Sequence, residues 1–118
     1  MSLVKREIWT FEIESSARFK CPMPLGAKVL PGVTVRQNGL PTFSAIVDPE
    51  SPETHREFMV VPVDALWPDG FELDAAAYIG PFTVAVGHTD KPDGGKALVF
   101  GQYHLFEQAS SARSSLVI

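Results

Sequence analysis

The sequence has a single cysteine, no long apolar run and no concentrated basic segment. One thiol cannot form an internal disulfide, which fits a reducing compartment. No apolar stretch approaches the ~20 residues that a membrane-spanning helix needs. The opening MSLVKREIW also lacks the apolar core and cleavage site of a signal peptide. We therefore expect a soluble protein that is intracellular where it is made, with no membrane partner.

Charge argues against a nucleic-acid partner. The net charge is −4 at pH 7, from fourteen acidic and ten basic side chains. The basic side chains are scattered along the chain, so they form no stripe that could follow a phosphate backbone. Nucleic-acid binding is not expected as the main function.

Length and composition predict one domain rich in turns. A chain of 118 residues is long enough to bury a core unaided. Ten prolines and nine glycines favour short elements over long helices. We expect a single domain over residues 1–118, with its core in about 5–107 and a C-terminal tail over 108–118.

The first third of the chain predicts one strand and one connector. Residues 7–14 alternate, with Trp9, Phe11 and Ile13 on one face and polar side chains on the other, which is typical of a half-buried strand. Residues 15–27 break this pattern. Because Pro22 and Pro24 restrict their own backbone and that of the preceding residues, this segment is predicted to be a stiff connector.

Residues 28–37 and 40–48 predict a hairpin around Asn38-Gly39. A three-residue loop pairs Val35 with Pro41 and Val33 with Phe43, and it fits a type I turn followed by a left-handed glycine. This register places the apolar side chains on one face, namely Val33, Val35, Phe43, Ala45 and Val47. Pro41 has no N–H to donate, so its strand is expected at a sheet edge there.

The remainder predicts further strands. Residues 56–64 are predicted to form a strand that is apolar on both faces. Residues 64–77 are irregular, with at most one helical turn. The last two strands are YIGPFTVAVG and KALVFGQYHLFE, which pair around the loop HTDKPDGG. In this register Thr89 lies opposite Lys96, and His104 opposite Pro81. Short antiparallel strands with frequent turns predict an all-β fold, either a β-sandwich or a partly open barrel.

The candidate reactive residues do not converge in the sequence. Cys21 lacks an evident activating group and reads as a small apolar residue at a strand entry. His88 and His104 are about seven residues apart along the predicted ladder, on the order of 23 Å. His55 lies elsewhere, and no zinc-binding spacing is present. We expect no metal site.

Known catalytic and cofactor motifs are also missing. The Gly94-Gly95-Lys96 sequence lacks the phosphate-loop spacing, and GxSxG, SxxK and GxGxxG are absent. The acidic cluster of Asp48, Glu50 and Glu53 lacks calcium-loop spacing. We expect no catalytic residues and no cofactor, and therefore a protein that is not an enzyme.

The succession CPMPLGAKVL, VRQNGLP, AIVDPESP, YIGPF, ALVF and HLFE over residues 5–107 resembles an uncharacterised family of small phage and prophage proteins. Relative to that family, residues 101–103 read as an insertion and VPVDALWPDG as longer than usual. The resemblance implies a phage origin and synthesis in the host cytoplasm. It implies no activity and no catalytic residue.

Three functions are compatible with these observations. The leading hypothesis is a non-enzymatic phage accessory protein that contacts a phage or host protein. The second is a virion component, such as a small capsid or tail decoration protein. The third is a small-ligand binder or sponge, in which Trp9, Trp67, Tyr78 and Tyr103 stack on the ligand; filling the core or an interface is the favoured alternative role for these rings.

Self-association is the last expectation. In a two-layer sandwich each sheet has one apolar face, yet residues 58–63 and the final strand are apolar on both faces. Because residues 64–77 are expected to be too short to cover both strands, we predict a homo-oligomer with the C-terminal strands at or near the contact. The predicted interface residues are Phe58, Met59, Phe100, Tyr103, Leu105 and Phe106.

Overall fold

The computed structural model describes residues 5–14, 16–67 and 75–108. Eight β-strands account for most of this part of the chain. None of the described segments forms a helix long and apolar enough to cross a membrane. The strands are β1 (Glu7–Glu12), β2 (Arg18–Pro24), β3 (Lys28–Val29), β4 (Thr34–Val35), β5 (Pro41–Val47), β6 (Glu53–Pro62), β7 (Ala76–Asp90) and β8 (Lys96–Gln108).

The strands form two antiparallel sheets that pack face to face. The first has the order β1-β5-β3, with β4 also paired to β5, and the second has the order β2-β6-β8-β7. This confirms the predicted all-β fold, and of the two predicted architectures it agrees with the sandwich, since the sheets do not close into a barrel. The tail prediction for 108–118 lies outside the described residues except for Gln108, which ends β8.

Aromatic side chains join the two sheets at their centre. Phe43 of β5 meets Phe58 of β6 with ring centroids 4.8 Å apart, and both are almost completely buried. Phe11 stacks on Phe43, and Phe19 stacks on Phe58, each pair at 5.4 Å. Burying each ring contributes about 2–3 kcal/mol to stability. This cluster fixes the separation of the sheets.

The hairpin register predicted around Asn38-Gly39 is confirmed. Val35 lies opposite Pro41, and Gly39 has a φ of 86°. The Asn38 side chain accepts a hydrogen bond from Leu40 N–H at 3.1 Å. Glycine is needed here because other residues are strained at such a φ.

Residues 28–37 are not one continuous strand. Val29 of β3 pairs with Ala45, whereas Val35 of β4 pairs with Pro41. The segment from Val29 to Val35 is therefore two residues longer than the segment of β5 that it faces. The excess leaves the first sheet and reaches the second, where Gly32 N–H donates to the carbonyl of Ile79 at 2.7 Å. The predicted register is kept by β4, but its ladder stops at Thr34, one residue short of the predicted pairing of Val33 with Phe43, and Val33 packs against the core.

Two further expectations about proline are wrong. Residues 18–24 form strand β2, with Phe19, Cys21 and Met23 pointing into the core. It is an outer strand, which tolerates Pro22 because one of its edges pairs with no strand among the described residues. Conversely β5, expected at an edge, is central; Pro41 is tolerated because it is the first residue of the strand.

Strands β7 and β8 form the predicted hairpin with two bulges. His104 lies opposite Pro81 as expected, but the register shift near Val86 places Asp90, and not Thr89, opposite Lys96 at the tip; a second shift lies near Ile79. Because β6 ends at Pro62, opposite Tyr103, the hairpin continues beyond the sandwich as two strands. We call residues 84–101 the arm; it is roughly 20 Å long at the strand rise.

Candidate functional site

A cleft of about 490 Å³ opens between the sheets on the side of β3 and β7. The β3 segment of the first sheet forms one wall, and the start of β7 forms the other. The lining residues are Gly26, Ala27, Lys28, Val29, Leu30, Pro31, Arg56, Ala77, Tyr78, Ile79 and Glu107. A backbone bond from Gly32 N–H to the carbonyl of Ile79, one of the lining residues, joins the two walls.

An ion pair lies at the base of the cleft. Arg56 and Glu107 form a two-pronged pair in which Nε faces Oε2, and Nη2 donates to Oε1 at 2.8 Å. Arg56 Nη1 also donates to the carbonyl of Ala27 in the facing layer. The side chains are only 22% and 14% exposed. Such a fixed pair is stronger than a surface ion pair because little water screens it.

The sequence did not single out this pair. Arg56 is two residues before Phe58 on β6 and lies opposite Cys21 of β2. Its side chain therefore points to the same face as Phe58, which can be predicted once the strand is assigned. Its partner Glu107 is 51 residues away. Nothing local indicates that these two charges meet.

The cleft offers positive charge and backbone groups rather than a reactive pair. Lys28 is an exposed cation at its rim, whereas Arg56 is already engaged by Glu107 and Ala27. The lining residues given above include no serine, cysteine or histidine. This arrangement suits weak binding of an anionic ligand and supplies no nucleophile with an adjacent base.

Cys21 points into the core between β2 and β6 and is 7% exposed. Burial, and next the negative charge of Glu14, raise the pKa of this thiol from 9.0 to about 11; Arg56 opposes them, and Glu107 adds to them. The thiol is therefore protonated at neutral pH, the opposite of what an attacking thiolate requires.

The three histidines are dispersed over the molecule. His55 pairs with Pro22 on the outer part of the second sheet, whereas His88 lies on the arm and is six ladder positions from His104. His104 Nδ1 is 2.8 Å from the hydroxyl of Tyr78. Within the described ranges, no three metal-ligating side chains come together.

The aromatic residues proposed for ligand stacking do not share one site. Tyr78 borders the cleft, but Tyr103 is part of the core packing. Trp67 packs edge-on over the outer face of the second sheet, and Trp9 lies partly exposed on β1. The ring of Tyr78 itself packs against Phe106 and His104, so none of the four rings is shown to face the cleft.

The outer face of the second sheet is covered by the chain itself. Met59 and Val61 are 0% and 6% exposed, and Trp67 and Phe106 pack against them. The expectation that residues 64–77 leave this face uncovered is therefore wrong for β6, because Trp67 lies over it. The apolar character of both faces of β6 requires no second copy.

The residues predicted for an interface do not form one surface. Phe58, Met59 and Leu105 are 0% exposed and do not reach the surface of the chain. Tyr103 and Phe106 are partly buried. Phe100 differs, since it is 58% exposed on the arm. Self-association stays a prediction, and its surface residues are now restricted to the arm.

The arm exposes apolar side chains on both of its faces. Val86, Leu98 and Phe100 are 54%, 53% and 58% exposed, and Val99 is 39% exposed. Successive residues of β8 point to opposite faces, so Leu98 and Phe100 share one face and Val99 lies on the other. Other exposed apolar residues, such as Ile8 and Leu25, do not belong to this group.

Comparison with protein-family models, curated proteins and solved structures found no match. The candidate sites are therefore assigned from their own geometry.

Proposed function

We propose that the protein is a non-enzymatic phage accessory protein that acts by protein–protein contact, and that the arm is its contact surface. The phage context comes from the resemblance in sequence. One structural observation supports the mode of action, namely the concentration of Val86, Leu98, Val99 and Phe100 on a two-stranded projection. Clustered apolar groups at a surface favour a partner because their burial releases water.

The arm is suited to this role by its position. It projects past the end of β6, so a partner reaches both faces without displacing the core. The charges near its tip, Asp90 and Lys96, already pair at 3.0 Å. The exposed apolar residues Val86, Leu98, Val99 and Phe100 thus lie between this neutral ion pair and the sandwich.

Partner capture with matched variants tests the proposal. Tagged full-length protein, a Leu98→Asn/Phe100→Asn variant and an Ile8→Asn/Leu25→Asn control are used as bait in cells that express the phage genome. The control removes apolar side chains of similar exposure, 66% and 58%, outside the arm. We expect a defined partner to bind wild type and control, and to bind the arm variant at least tenfold more weakly when both proteins are purified.

Two outcomes would contradict the proposal. One is the absence of any partner that rebinds in purified form, and the other is equal binding by the arm variant. Recovery of the protein in purified particles by mass spectrometry would identify the partner as a capsid or tail protein, which is the virion alternative.

Small-ligand binding is the second candidate, and the cleft favours it. Lys28 and the base formed by Arg56 and Glu107 suit a small anionic molecule. A thermal-shift screen of nucleotides and carboxylate metabolites tests this function. Stabilisation that Lys28→Ala abolishes supports it, and no stabilisation by any compound at millimolar concentration removes it.

A further inference from the structure

Strand β8 has an open edge along the arm. On the side away from β7, its last described contact is the bond from Val63 N–H to the carbonyl of Gln102 at 2.9 Å. The chain then turns away at Asp64, which has a φ of 68°. Residues 96–101 consequently have β7 on one side and no described strand on the other.

The other outer strands carry features that oppose edge-to-edge pairing. Strand β2 contains two prolines, β1 begins and ends with glutamate, and β3 and β4 are two residues long. The outer edge of β7 is interrupted by Pro81 and by the bulge at Val86. Residues 97–101 of β8 contain no charge, no proline and no bulge. Among the outer edges in the described part of the chain, this one lacks the usual protection.

The open edge has a defined set of unpaired backbone groups. The carbonyl of Gln102 points towards β6. In an antiparallel strand, every second residue points its N–H and C=O groups to the same side. The backbone groups of Leu98 and Phe100 therefore point to the open edge. A strand that pairs with both residues would satisfy all four groups.

We propose that a second copy of this chain supplies that strand, with two β8 strands pairing antiparallel about a two-fold axis at Val99. This inference rests on the proposed function and names the partner of the same surface. Leu98 then pairs with Phe100 of the second copy through two backbone bonds, and Val99 faces its own counterpart. The arms become one four-stranded sheet in the order β7-β8-β8-β7.

Side chains and charge agree with this register. Leu98 and Phe100 lie on one face, so the axis brings four large apolar side chains into one cluster. The pairing runs over residues 97–101 of each copy, because Val63 already occupies the edge of β8 at Gln102, and no charges are opposed in this stretch. The contact buries a few hundred Å² per copy, less than the ~800 Å² of a standard interface, so we expect a dissociation constant in the micromolar range.

Site-specific cross-linking tests the register. Residues that face each other across the axis have Cα atoms about 4.5 Å apart, within the range of a disulfide. In a Cys21→Ser background, Val99→Cys should form covalent dimers under mild oxidation with copper phenanthroline at 50 μM protein. Val86→Cys is the matched control on the arm, and we expect at least fivefold less dimer from it.

Light scattering over increasing concentration, on unmodified protein, completes the test. A mass that rises towards a dimer, together with selective cross-linking at position 99, supports the proposal. A constant monomer mass overturns it, as does equal or stronger cross-linking at position 86. If the mass stays monomeric but the arm variant loses a captured protein, this inference fails and the proposed function stands; if both results are negative, both fail.

Discussion

Replacing Arg56 by methionine tests whether the ion pair beneath the cleft holds the two sheets together. The substitution removes the two-pronged contact with Glu107 and the bond to the carbonyl of Ala27. It retains most of the apolar stem that packs between the sheets. The Glu107 carboxylate, 14% exposed, would keep its charge without the facing guanidinium.

The expected loss follows from the burial of the pair. Breaking a fully buried ion pair costs about 3–5 kcal/mol, whereas a surface pair contributes about 0–1 kcal/mol. With side-chain exposures of 22% and 14%, Arg56→Met should lower the free energy of unfolding by about 2–4 kcal/mol, because the residual exposure reduces the penalty. For a domain of this size that corresponds to a melting temperature lower by about 8–16 °C.

Urea denaturation of four proteins measures this effect: wild type, Arg56→Met, Glu107→Leu and the double variant. The double variant removes both charges, so we expect it within about 1 kcal/mol of wild type and well above either single variant. A loss below about 1 kcal/mol for Arg56→Met would show that water screens the pair as at an open surface. A double variant no more stable than the singles would refute the role of the unpaired charge.

Three further outcomes are expected. The folded thiol of Cys21 keeps its proton to about pH 11 instead of 9.0, so its contribution to stability is complete below pH 9 and is lost as pH rises towards 11. Cys21→Ala should therefore show a shallower decline in urea stability than wild type between about pH 8.5 and 10.5, and parallel curves would contradict this. Gly80→Ala should destabilise the protein by about 1–3 kcal/mol, because the new Cβ would lie 3.2 Å from the Gly32 backbone. Gly87→Ala is the control and should be near neutral, because its Cβ would meet nothing within 4 Å. Equal melting temperatures for the two variants would disprove the close approach. Gly39→Ala should cost about 1–2 kcal/mol because its φ is 86°, and calorimetry showing no change would contradict the left-handed turn.

Features encoded by neighbouring residues were predictable from the sequence. The β4–β5 loop follows from Asn38 and Gly39 themselves, and the β7–β8 hairpin follows from two long strand patterns around one turn. In each case the turn type and the apolar alternation agree, and a wrong register would expose apolar groups. The all-β architecture was predictable for the same reason.

Features that depend on distant pairing were not predictable. Strand β2 is stabilised by β6, whose paired residues lie between 29 (Pro24 and Glu53) and 41 (Arg18 and Met59) positions away in the sequence, and its prolines alone suggest a connector. The contact between Arg56 and Glu107 likewise needs β6 and β8 to be placed first. The exposed band of the arm emerges only once the end of β6 is known, because residues 98–100 would otherwise read as buried.

The path of the chain between the sheets bears on how the protein folds. Strand β2 belongs to the second sheet, although β1 before it and β3 after it belong to the first. Neither sheet is therefore a continuous stretch of sequence. If the chain were cut at the turn over 48–52, the N-terminal fragment would hold β2 without its partner β6, and the C-terminal fragment would hold β6 without β2. The layers cannot form one after the other as independent units. Their assembly is a single cooperative event that waits on contacts between distant parts of the chain, which makes slow folding the expected kinetic behaviour.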